Sequence, residues 1–169
     1  MFIAHLPAGY LLTSAIEART GDRSRAVLLT GLAASVLPDL DLLWFYLVGD
    51  RQNVHHAYLP HLPLFWIAVA ALAWMAGRAL RLPRAPLLIG VALANLLLHM
   101  VLDSIAAGIW WLRPFSDLEV NLVRVPAVQA WWVWNFVLHW TFALELAITA
   151  AALALWWRRH RAARRDLTA

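Results

Sequence analysis

The stretch 86-PLLIGVALANLLLHMVLDSIAAGIWWL-112 decides how this chain folds. It exceeds the roughly 20 apolar residues a helix needs to cross a bilayer. Its only ionisable groups are His99 and Asp103. Spaced four apart, they stand on one helical face, so an imidazole and a carboxylate can reach the same ion. The plainer reading is a His–Asp hydrogen bond that fixes helix packing. Asn95 carries the polar stripe one turn further.

The rest of the chain agrees. Of its 169 residues, 63% are hydrophobic and only 14% charged, against about 25% charged in a soluble domain. The mean hydropathy is +0.64. A water-soluble globule of this size cannot keep that much apolar surface covered, so this is a membrane protein. Residues 1–169 are the length of a single domain, which argues against a separate cofactor-binding module. There is no cysteine, and so no disulfide, thiolate metal site, iron–sulfur cluster or cysteine nucleophile. The net charge of +4 comes from arginine alone. In a membrane protein that charge is an orientation signal and not a nucleic-acid footprint.

Five hydrophobic segments predict an all-α, polytopic membrane helical bundle: Phe2–Ile16, Ala26–Val48, Leu64–Leu80, Pro86–Leu112 and Trp131–Trp157. The first is short, and it lacks the cationic start and small-residue cleavage site of a signal peptide. The second is broken at Leu37-Pro38-Asp39-Leu40-Asp41. Arginines cluster after segments one and three (Arg19, Arg23, Arg25; Arg78, Arg81, Arg84) and in the basic tail 158–169. Positive charge stays inside, which places the tail in the cytoplasm and the N-terminus outside. Tryptophans at 110–111, 131–134 and 156–157 read as interfacial belts.

This topology sends His5, His55, His56, His61, His99 and His139 to the external side, leaving only His160 in the tail. Ionisable groups at membrane depth face the bundle interior and mark function. Pro38 removes a helix donor, and two carboxylates follow it. Uncompensated, Asp39 and Asp41 would repel each other and take up protons. A divalent cation is the simplest compensation, and aspartates capping a helix end are the other reading. His56 and His61 supply two imidazoles in a short loop beside His55. His5 precedes Pro7 and Gly9, where close packing would bring it to the cluster. His139 and Glu145, six residues apart, diverge by about 120° on a helix and cannot chelate as a tight pair. Glu145 serves either as an active-site acid, base or ligand, or as a bundle contact. Nitrogen and oxygen donors without sulfur suit zinc first, and also manganese or iron.

The ordered series His5-x3-Gly9, Leu-Pro-Asp39-x-Asp41, His56-x4-His61, and His99-x3-Asp103-Ser104 followed by Gly108 and Pro114-Phe115 resembles the bacterial inner-membrane metal-dependent hydrolases. That family is distantly similar to zinc-dependent phospholipase C. The likeness covers about residues 1 to 116. Where the family shows His-Arg-x-x-x-His-Ser in the loop, this chain has Ala57 and Leu62 in place of Arg and Ser.

Together these readings predict a multi-pass hydrolase of the bacterial inner membrane, acting on a phosphoester of a lipid or lipid-linked substrate at the outer leaflet. His5, Asp39, Asp41, His61, His99 and Asp103 would hold one or two divalent ions, with His56 beside them. Asp41, Glu145 and His139 are the catalytic candidates, with Asp41 or Glu145 handling the proton. Nucleic acid is not an expected partner. A ceramidase-like zinc amidohydrolase is the enzymatic alternative. A metal-binding transporter or a membrane adaptor is the non-enzymatic one.

Overall fold

A computed structural model of the chain describes residues 1, 3–48, 56 and 58–166. The predicted all-α class holds. Among the described residues every regular element is helical; the irregular stretch 107–131 carries one isolated antiparallel bridge, between Ile109 and Val120. Helix α1 spans His5–Thr20 and α2 spans Arg25–Val36. A 3-10 turn, Pro38–Leu40, leads into α3 (Asp41–Leu47), and a second, Leu59–His61, leads into α4 (Pro63–Ala79). Then come α5 (Ala85–Ala106), α6 (Trp132–Val137) and α7 (Trp140–Asp166).

Among the described residues two helices, not five, are long and apolar enough to cross a membrane: Ala85–Ala106, and Trp140–Ala162 within α7. The other segments fall short for identifiable reasons. Gly21, with a left-handed φ of 76°, ends α1 by turning its N–H back to the Glu17 carbonyl; a side chain there would be strained. Pro38 splits the second segment as predicted, leaving α2 only 12 residues. Helix α4 has 17. At 1.5 Å per residue these two reach about 18 and 26 Å, less than the roughly 30 Å of hydrocarbon.

The fourth segment stops being helical at Ala106. There the following loop closes the helix end: the Leu122 and Val123 N–H groups donate to the Ser104 and Ile105 carbonyls at 2.8 and 2.9 Å. Those are the carbonyls a helix terminus leaves open. The fifth segment is cut between α6 and α7. His139 Nδ1 lies 3.0 Å from the Thr141 hydroxyl and 3.4 Å from the Thr141 N–H. The imidazole thus caps the first turn of α7.

Helix α5 is central, packed against α1, α2 and α4, while α1 also packs on α7. Gly9 and Gly31 set the close approach of α1 and α2. A Cβ on Gly9 would collide with the Ser35 side chain, and one on Gly31 with the Thr13 hydroxyl. The resulting interior holds many polar groups beside apolar ones such as Val27, Val91 and Met100: Thr13, Ser14, Glu17, Asn95, His99 and Asp103 are buried, while Leu29, Leu47, Leu72, Trp74 and Leu153 are exposed. That inversion fits a lipid solvent. The basic segment from Arg158 continues α7 as helix to Asp166. Arg159 donates to Glu17 Oε2 at 2.8 Å and to the Ser14 carbonyl at 3.3 Å, fastening the far end of α7 to α1.

Candidate metal centre

The end of the bundle opposite Glu17 gathers side chains from four places in the chain. Helix α1 contributes His5 at its first position, and the turn after α2 contributes Asp39. The loop before α4 contributes His56 and His61, and the last turns of α5 contribute His99 and Asp103. Pro38 is what brings Asp39 in. It ends α2 at Val36 and opens the 3-10 turn Pro38–Leu40 that bears the carboxylate. His99 and Asp103 share a face, as their spacing requires. Nε2 of His99 lies 3.1 Å from Asp103 Oδ2.

The Nε2 atoms of His61 and His99 lie close to each other and to carboxylate oxygens of Asp39 and Asp103. His61 Nε2 lies 3.4 Å from His99 Nε2, 3.6 Å from Asp103 Oδ2 and 3.8 Å from Asp39 Oδ1. His99 Nε2 lies 3.6 Å from Asp39 Oδ1. Donors bound to one tetrahedral zinc, at roughly 2.0–2.1 Å each, stand about 3.3 Å apart. His56 Nε2 flanks the set at 3.7 Å from Asp103 Oδ2. The His5 ring stacks on His99 with centroids 3.8 Å apart, and its Nε2 lies 3.2 Å from Asp103 Oδ1. The Met1 amino group donates to that same oxygen.

The outer contacts fix the tautomers. His99 Nδ1 donates to the Ser35 carbonyl at 2.8 Å, and His61 Nδ1 donates to Asp41 Oδ2 at 2.6 Å. A carbonyl and a carboxylate only accept, so the proton of each neutral ring sits on Nδ1 and both Nε2 lone pairs face inward. Two lone pairs then meet two carboxylate oxygens. Asp103 Oδ2, wholly buried, has no hydrogen-bond partner. Such an arrangement repels itself unless a cation, or protons on the imidazoles, occupy the centre. The donor set therefore fits a divalent metal. Groups of three from His5, Asp39, His56, His61, His99 and Asp103 lie close enough to hold one. With imidazole and carboxylate ligands and no sulfur, it suits zinc, manganese or iron.

Six of the seven predicted ligands are thus brought together. Asp41 is the seventh, and it stands behind His61 as its hydrogen-bond partner. His139 is at the start of α7, engaged with Thr141. Glu145 is buried, and its Oε2 accepts the N–H groups of Ile3 (2.7 Å) and Ala4 (3.2 Å), the residues that lead into α1. His55 lies outside the described residues. The Ser35 carbonyl and the Met1 amine also belong to the surroundings of the site. A backbone acceptor leaves no mark in side-chain identity, so Ser35 could not be singled out from its letter.

Fold and site define a helical membrane protein with a buried His/Asp cage at one end of its bundle. Residues 1–164 match the family described as YdjM inner membrane protein, and the chain belongs to that family. No curated protein and no solved structure matches it. The family description gives a location, the inner membrane, and no reaction.

Proposed function

We propose that this protein is a metal-dependent hydrolase that cleaves a phosphoester of a membrane lipid at the outer leaflet. One observation carries the reading: the Nε2 atoms of His61 and His99 each lie 3.1–3.8 Å from carboxylate oxygens of both Asp39 and Asp103, in a chain of an inner-membrane family. A divalent cation held there supplies Lewis acidity and lowers the pKa of a water in its shell. Asp41 and the Ser35 carbonyl hold the two imidazoles in register for it. Asp39 is 31% exposed, whereas His61, His99 and Asp103 are almost wholly enclosed. The Asp39 edge is therefore the way in, and its carboxylate is placed to bind and to accept a proton from whatever enters. The enclosed side keeps bulk water from the reacting bond.

The test is release of phosphate or of a phosphorylated headgroup from lipid vesicles by purified protein, with and without chelator. Release that stops on chelation and returns with zinc or manganese supports the reading. Release of fatty acid from an amide-linked lipid would favour the ceramidase-like chemistry instead.

A transporter reading is favoured by a different observation. Polar groups continue below the cage: Asn95 Nδ2 donates to Thr13 Oγ1 at 3.2 Å, and Ser14 and Glu17 are buried further down α1. Zinc uptake into proteoliposomes separates transport from hydrolysis.

A further inference from the structure

Beside the cage, α2, α4 and α5 leave an apolar groove of about 370 Å³. Its walls carry Ala33 and Ala34 on α2, Ala70 and Ala73 on α4, and Ala92 on α5. Small residues usually let membrane helices close up on each other. Here α2 and α4 both pack on α5, and the alanines leave a channel between them.

The groove has a direction, and chain order fixes it. Helix α2 runs towards the cage, α4 away from it and α5 towards it again. One end of the groove is therefore bounded by Thr30, Ala73 and Ile89, and the other by Leu37, Trp66 and Leu96. The second end adjoins the cage. Leu37 immediately precedes the Pro38–Leu40 turn that bears Asp39. Trp66 donates its indole N–H to the Pro60 carbonyl at 2.7 Å, next to His61. Leu96 lies less than one turn before His99. Each wall spans seven residue steps, about 10 Å, or two-thirds of the hydrocarbon depth of one leaflet. Helix α5, which forms one wall, is long and apolar enough to span the membrane.

We propose that this groove binds one acyl chain of a membrane lipid, with the lipid head delivered to the Asp39 edge of the cage. The proposal rests on the hydrolase reading for what happens to the head, but not for the seating of the chain. Continuity is what selects the occupant. An apolar channel at hydrocarbon depth that ends at a polar, cation-ready mouth has the same apolar-to-polar sequence as a phospholipid.

The experiment uses the full chain in vesicles of phosphatidylethanolamine and phosphatidylglycerol, doped with phosphatidylglycerol bearing a diazirine on one acyl chain. Photolysis followed by peptide mass spectrometry maps the attachment sites. Labelling concentrated on Thr30–Leu37, Trp66–Ala73 and Ile89–Leu96, and lost from these stretches in Ala73→Phe and in the milder Ala33→Leu, supports the groove whether or not hydrolysis is detected. The wild-type map alone decides the matter if a variant fails to fold. Labelling spread equally over the outer face of α7 overturns the proposal. So does absence of label from the walls accompanied by crosslinks between two copies of the chain. Neither result touches the metal centre, which is tested by metal content.

Discussion

Asp39 and Asp41 are two residues apart and take different roles. Asp39 Oδ1 faces both imidazole Nε2 atoms, whereas Asp41 Oδ2 grips His61 from behind at 2.6 Å. Loss of such an outer partner costs a metal site about 10- to 100-fold in affinity while leaving its ligands in place. Asp41→Asn is therefore expected to weaken zinc binding in a chelator competition by that factor and still to fill at saturating zinc. An unchanged affinity would remove Asp41 from the site. The sequence alone could not divide these labours, because the geometry of the Pro38–Leu40 turn decides which carboxylate points where. His99 and Asp103 were legible, since a four-residue spacing on one continuous helix leaves little freedom. His5, Asp39, His56 and His61 come from separate stretches and were legible only as a set. Their common polarity in an apolar chain was the signal.

At the scale of elements, Pro38 announced the break in the second segment, and the structure breaks there. The cut between α6 and α7 was not legible, because a histidine that caps a helix and one that binds a metal are the same letter. Glu145 poses the same difficulty. Its carboxylate oxygen takes two N–H groups at the start of α1, the helix that brings in His5. Leaving buried donors unpaired costs about 1–3 kcal/mol each. Glu145→Ala is expected to lower the thermal midpoint in detergent accordingly, while Glu145→Gln, which keeps an acceptor oxygen, recovers most of the loss. If Glu145→Gln melts like wild type yet stops lipid hydrolysis, the carboxylate belongs to the chemistry as well. The number of spanning helices was overread for a related reason. Hydropathy marks apolar residues, but helix length depends on where Pro38, Gly21 and the loop at residues 120–123 stop each helix.

For the whole molecule, arginine distribution and site position make one joint prediction. The loop after α5 should lie outside with the cage, and the α4–α5 connection should lie in the cytoplasm. The chain has no cysteine, so single cysteines report cleanly. Leu118→Cys and Leu82→Cys occupy exposed positions in those two connections. In intact spheroplasts, a membrane-impermeant maleimide should label the first and spare the second; the reverse pattern would turn the molecule over and put the cage at the inner face. The polar interior and apolar exterior follow from composition, but the cage itself depends on six side chains meeting at one end of the bundle. Elemental analysis of the detergent-purified protein beside His99→Ala and Asp103→Asn tests that meeting most directly. The wild type is expected to retain one or two equivalents of zinc, manganese or iron, and both variants to lose them while staying folded. Metal content in the variants equal to that of the wild type, or a wild type that takes up none when divalent ions are supplied, would contradict it.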